Sequence, residues 1–125
     1  MYHLVLVAVG GAIGASVRHL VNMASLKLLG PDFPWGTMLI NISGSLAMGV
    51  FVELLARRFN GSNELRLFVA TGILGGFTTF SAFSLDFAML WERGDTGQAV
   101  AYAGGSVIVS LVALFAGLWV VRGLA

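Results

Sequence analysis

The sequence contains no cysteine. That absence removes disulfides, thiolate metal sites and thiol nucleophiles together. Charge is nearly as scarce. Seven Lys and Arg with six Asp and Glu make 10% of the 125 residues, where a soluble domain carries about a quarter. The formal net charge of +1 is too small to attract a nucleic-acid partner. No carboxylate lies at the centre of an apolar run: Glu53 and Asp86 both stand toward the end of theirs. Proton-coupled transporters generally need an ionisable group at membrane depth, and cation paths favour acidic rings. Both classes are therefore disfavoured from the outset.

What remains is apolar. Hydrophobic residues make up 58% of the chain, and stretches free of Asp, Glu, Lys and Arg run over 33–52, 67–85 and 96–121. A fourth, 1–26, is interrupted only by Arg18. Each can cross a hydrocarbon core of about 30 Å, which takes about 20 helical residues. These runs predict one all-α integral membrane domain over 1–125, with four transmembrane helices at about 3–29, 34–58, 64–91 and 97–122. The punctuation agrees, with Gly30-Pro31 closing the first helix and Pro34-Trp35 opening the second. The N-terminus has no basic segment before its apolar run and no small-x-small cleavage pattern, so it reads as the first helix and not as a removable signal peptide.

Four helices place both termini and the loop between helices 2 and 3 on one side. That side carries Arg57, Arg58, Arg66 and Arg122, against Lys27 and Arg93 on the other, a weak bias under the positive-inside rule. A single orientation and insertion both ways round stay open; the second would allow an up-down pair of subunits. Small residues on each helix, Gly10 and Gly14, Gly44 and Gly49, Gly72 and Gly76, Gly104 and Gly105, predict close helix association in lipid. Four helices form too thin a bundle to enclose a pore, so a partner subunit is expected.

Polar residues inside such helices carry the information, because each costs free energy unless paired or hydrated. Arg18 shares a helix face with Gly10 and Gly14; it either snorkels to a carboxylate or lies at the base of a water-filled vestibule. Thr37, Asn41 and Ser45 recur at i, i+4, i+8, and Tyr102, Ser106 and Ser110 do the same on helix 4. Asn41 offers neutral donors and an acceptor, as interhelical glue or as part of a lined path. Two such stripes, with one arginine and no central carboxylate, suit an anion.

Residues 72–84, GILGGFTTFSAFS, stand apart. Gly75-Gly76 followed by Thr78-Thr79 weakens helix 3 at its midpoint, and non-helical backbone at that depth is tolerated only inside protein or against a cavity. Freed carbonyls at unwound membrane helices commonly coordinate Na⁺. Phe80 and Phe83 then share a face, either as packing or as positive ring edges offered to a small anion.

Taken together, Gly10-Gly11-x-x-Gly14-x-x-x-Arg18, Trp35-Gly36-Thr37 leading to Asn41, and Gly75-Gly76-Phe77-Thr78-Thr79-Phe80-Ser81 resemble the bacterial fluoride channel family (Fluc, or CrcB) over the whole length. The resemblance implies a dual-topology, antiparallel homodimer in the bacterial inner membrane, with helix 3 broken at its midpoint. It implies two fluoride pores and passive fluoride export without catalysis. It also implies a structural Na⁺ at the dimer interface, held by backbone carbonyls at Gly75 and Thr78. The family's pore phenylalanines correspond to Phe80 and Phe83, its pore asparagine to Asn41 and its vestibule arginine to Arg18. Its polar track corresponds to Tyr102, Ser106 and Ser110 with Ser81 and Ser84, while Ala82 departs from members that carry threonine there. The competing reading, a small multidrug-type proton-coupled exporter, needs a glutamate within helix 1, where this chain has Arg18. A third reading, a non-transporting assembly factor, predicts that replacing Phe80 has no functional consequence.

Overall fold

A computed structural model describes residues 1–124. The chain is entirely helical in its regular elements. Helix α1 spans Tyr2–Leu29 and α2 spans Trp35–Arg58. The third apolar stretch, Asn63–Glu92, comprises α3 over 63–77 and α4 over Ser81–Glu92. Helix α5 covers Thr96–Leu124. Four stretches, with α3 and α4 together as one, are long and apolar enough to cross a membrane. The chain is a multi-pass membrane protein.

Exposure runs opposite to that of a soluble bundle. Leu4, Val9, Ile13, Leu20, Ile108, Val112 and Trp119 all lie on the surface, as expected where lipid tails replace water. The buried set is small: Ile40, Ala99 and Tyr102 are fully enclosed and Leu90 nearly so. Tyr102, Leu90 and Ala99 form one cluster, flanked by Phe33, Met38, Phe83 and Phe87.

Without a hydrophobic effect between helices, backbone contact does the work. Helix α1 lies along α3, and α2 lies along α5. A β-carbon at Gly14 would meet the Ile73 carbonyl, and one at Gly10 would meet the backbone of Phe68 and Gly72. On the other pair, Gly49 faces the Leu114 carbonyl and Gly117 faces Leu46 and Val50. Gly104, grouped above with the packing glycines, has nothing within 4 Å, and Gly105 meets only the end of Met38. The close approach of α5 is made at Gly117 instead.

The turns are short. Gly30 closes α1 at φ 83°, its N–H bonding the Leu26 carbonyl, and Gly94 (φ 89°) turns α4 into α5. Pro34 stands just before the first turn of α2, where its missing N–H costs nothing. Ion pairs tie the ends. Glu53 accepts from Arg57 at 2.8 Å and from Arg122 at 2.9 Å, joining α2 to α5. Arg93 pairs with Asp95 at 2.6 Å and donates to the Asp32 carbonyl at 2.8 Å, joining the two turns on the opposite end.

Two irregularities mark the third span. From Arg66 to Leu74 the backbone winds more widely than an α-helix, with i→i+5 bonding such as Gly75 N–H to the Ala70 carbonyl. Regular bonding then stops at Phe77: Thr78 is extended (φ −80°, ψ 158°), Phe80 returns to helical angles, and α4 begins at Ser81.

Candidate functional site

The interruption between α3 and α4 is held by side chains, and Asn41 is the main one. Asn41 lies mid-span on α2, where it faces Thr79. Its Nδ2 donates to the Thr79 carbonyl at 2.9 Å, and the Thr79 N–H donates to its Oδ1 at 2.8 Å. One carboxamide thus satisfies both backbone groups of a residue outside any helix, which removes the penalty for leaving them unpaired at depth. Thr78 is fixed differently. Its hydroxyl donates to the Leu74 carbonyl at 2.9 Å, and its methyl sits where a β-carbon on Gly44 would be.

These bonds change which carbonyls are free. In an unbroken helix the Thr79 N–H would go to the Gly75 carbonyl and the Ala82 N–H to the Thr78 carbonyl. Here the first goes to Asn41, and the second goes to Thr79 Oγ1 at 3.2 Å. Among the described residues, the Gly75 and Thr78 carbonyls keep no backbone donor.

Beside this segment runs a groove of about 470 Å³ between α2, the interruption and α5. Asn41, Ser45, Gly75, Thr78, Phe80, Phe83, Ser106 and Ser110 all line it, and no charged side chain does. Phe80 is 77% exposed, its ring centroid 5.6 Å from that of Phe83. Phe83 in turn packs 5.2 Å from Tyr102, which meets Phe33 edge-on at 5.6 Å.

The serines on this path differ from serines elsewhere. Ser16, Ser43 and Ser84 each return their hydroxyl to the carbonyl four residues earlier, at 2.7, 2.7 and 3.0 Å. Ser106 and Ser110 do not: both hydroxyl oxygens are buried and have no partner among the described residues. A buried hydroxyl without a partner costs free energy, and these two stand four residues apart on the wall of one groove.

The remaining expected site residues lie elsewhere. Ser81 is exposed, with its hydroxyl 3.4 Å from Thr79 Oγ1, and neither it nor Ser84 lines the groove. Ser84 spends its hydroxyl on Phe80, which is how α4 starts. Tyr102 is fully buried and does not line the groove; its hydroxyl donates to Asp86 Oδ2 at 3.1 Å. Asp86 opens onto a second cavity of about 430 Å³, also lined by His19, Asp32, Thr37 and Arg93. Tyr102 therefore stands between the two spaces, touching the groove through Phe83 and the second cavity through Asp86. Arg18 is half-buried, its Nε enclosed and without a partner among the described residues. It lines neither space.

Two participants were not singled out from the sequence. Thr79 was one letter of a motif, and only the fold shows that its backbone is what Asn41 holds. Asp86 was noted for its position late in the run, and its tyrosine partner lies 16 residues away on the next helix. A polar stripe on one helix opposite a lone carboxylate on its neighbour is the signal that could have paired them.

Comparison with known proteins identifies the family. The profile of the CrcB-like protein, camphor resistance (CrcB) family matches residues 5–118. The chain is 67% identical over 124 residues to the "Fluoride-specific ion channel FluC" of Mesorhizobium japonicum, covering 99% of each. It is 60% identical to the protein of that name from Chelativorans and 55% identical to that from Agrobacterium fabrum, again over 99% of each chain. With its full span of four apolar helices matched, the chain belongs to the CrcB family.

Proposed function

We propose that this protein is a fluoride channel that lets F⁻ leave the bacterial cytoplasm passively across the inner membrane. The observation that carries the reading is the groove itself, with neutral donors, ring edges, and two buried hydroxyls, Ser106 and Ser110, that have no internal partner. Fluoride is small and strongly hydrated, so a path must replace its water with several hydrogen-bond donors. Hydroxyl donors to an anion form short, strong bonds. Phenylalanine presents a positive ring edge and so supplies attraction without a full charge that would hold the ion in place. Chloride, larger and a weaker acceptor, gains less from the same donors. The relatives' shared name points to the same ion.

In this reading Asn41, Phe80, Phe83, Ser106 and Ser110 line the path, with Tyr102, Ser81 and Ser84 along its continuation and Arg18 drawing anions toward its mouth. Hydrogen fluoride enters cells from an acidic medium, ionises in the less acidic cytoplasm, and F⁻ leaves under an inside-negative potential. The functional unit is an antiparallel homodimer of dual topology with two such paths. One feature supports a partner subunit: Phe80, an apolar ring on the groove wall, is largely uncovered. A Na⁺ ion at the centre of that dimer completes the assembly, and its fit is chemical. The Gly75 and Thr78 carbonyls lack their helical donors, and carbonyl oxygens are the ligands this hard cation takes at unwound helices. The ion supplies positive charge at the interface, and the chain supplies the oriented oxygens.

Replacing Phe80 by Ile keeps the bulk and removes the ring edge. Fluoride efflux from liposomes should then fall at least tenfold while the purified variant elutes and melts like the parent. Unchanged flux would show that the ring only packs, and no flux from the parent would favour the non-conducting assembly factor.

A further inference from the structure

We infer that Thr79 is the positioning residue that opens both cation-facing carbonyls, and that its hydroxyl and Asn41 make the anion path and the cation site one hydrogen-bonded unit. The inference rests on the Na⁺ reading above and adds to it what creates the site.

The two adjacent threonines have opposite tasks. Thr78 closes the turn behind it: its N–H and its hydroxyl both go to the Leu74 carbonyl, at 3.0 and 2.9 Å. Its own carbonyl is left over. Thr79 commits everything it has. Its N–H and carbonyl are both taken by Asn41, at 2.8 and 2.9 Å, and its Oγ1 accepts the Ala82 N–H at 3.2 Å. The Thr79 carbonyl is thus engaged by Asn41, unlike those of Gly75 and Thr78. What it does is withhold two N–H groups from the carbonyls behind it, its own from Gly75 and that of Ala82 from Thr78. Its hydroxyl works as a side-chain cap for α4, in the manner of an N-cap threonine.

Two consequences follow. Thr78 is extended (ψ 158°), so its carbonyl is turned out of the helical direction. Without the Oγ1 acceptor, the unpaired Ala82 N–H favours rotation of Thr78 back toward helical angles, where that carbonyl becomes its partner and is a poorer cation ligand. Because Asn41 also lines the groove, an ion drawing on its remaining amide hydrogen pulls on the group that keeps the Gly75 carbonyl free.

The test is a Na⁺ titration of subunit association, read by exchange between differently labelled subunits of the purified detergent-solubilised protein, with N-methyl-D-glucamine holding ionic strength constant. Thr79→Val removes the acceptor at nearly constant shape, Thr79→Ala removes it without bulk, and Thr79→Ser restores it. One lost cap hydrogen bond, about 1 kcal/mol, moves an equilibrium about fivefold. Val and Ala should thus raise the Na⁺ concentration for half-maximal association about fivefold or more, while Ser stays within twofold of the parent. Curves for Val and Ala that overlay the parent, or a Ser variant shifted as far as Val, overturn the role of the hydroxyl. If Val fails to fold, Ala against Ser decides. A parent whose association ignores Na⁺ altogether overturns the cation reading, and this inference with it.

Discussion

At the scale of single residues, the site separates side chains that stabilise the fold from side chains that the fold leaves waiting. Asn41 belongs to the first group as well as to the path. Truncation to Ala strands the Thr79 N–H and carbonyl, each costing about 1–3 kcal/mol when unpaired and buried. Asn41→Ala should lower stability to thermal or denaturant unfolding by roughly 2–4 kcal/mol, and an unchanged melt would mean that Asn41 faces only the ion. Ser106 belongs to the second group. Its buried hydroxyl has no partner to lose, so Ser106→Ala should melt no lower than the parent. Fluoride flux should nevertheless drop about ten- to hundredfold, the equivalent of one hydrogen bond to a charged group, about 1.5–3 kcal/mol. A variant that loses stability and flux together would make Ser106 a packing residue. The residues themselves were legible early, since polar groups in an apolar run are few. Their partners were not. Sequence spacing placed Ser81 and Ser84 beside the phenylalanines, but a serine in a helix can always return its hydroxyl to the preceding turn. Ser84 does so, whereas Ser106 does not.

At the scale of elements, the four apolar stretches could be read directly, because charge-free runs of that length have few other uses. The weak point of the third stretch also showed in its Gly75-Gly76 pair and its hydroxyls. The wide turns over Arg66–Leu74 did not show, since nothing in RLFVATGIL differs locally from an ordinary apolar helix. They belong to the segment that rests on α1, where Gly10 and Gly14 bring two backbones together. That contact has a direct test. Gly14→Ala would drive a methyl into the Ile73 carbonyl, whereas a β-carbon at Gly97 meets nothing within 4 Å. Overpacking of this kind costs about 1–3 kcal/mol, and a backbone oxygen yields less readily than a side chain. Gly14→Ala should therefore be destabilised by that amount while Gly97→Ala stays within about 0.5 kcal/mol of the parent. Equal melting of the two would mean that α1 and α3 are not locked through their glycines.

At the scale of the whole molecule, the proposed reading makes the chain alone incomplete as a conduit. Phe80 on the wall of its groove is uncovered, and its enclosed core amounts to a handful of residues around Tyr102 and Ile40. Sequence could suggest a partner from bundle thickness and from a loop-charge bias too slight to fix orientation. It could not give the interface, because residues that face lipid and residues that face a second copy are equally apolar. Orientation can be read from crosslinks between single cysteines placed in this cysteine-free background. Pairs joining the first turn of α1 in one subunit to the turn between α4 and α5 in the other should form, and pairs joining equivalent ends should not. Only equivalent-end crosslinks would refute the antiparallel dimer. The central proposal, a neutral path that favours fluoride, is tested most directly by ion efflux from liposomes holding the purified protein, with fluoride and chloride measured in parallel. Fluoride should leave rapidly down its gradient while chloride stays inside; equal passage of both ions, or passage of neither, would contradict it.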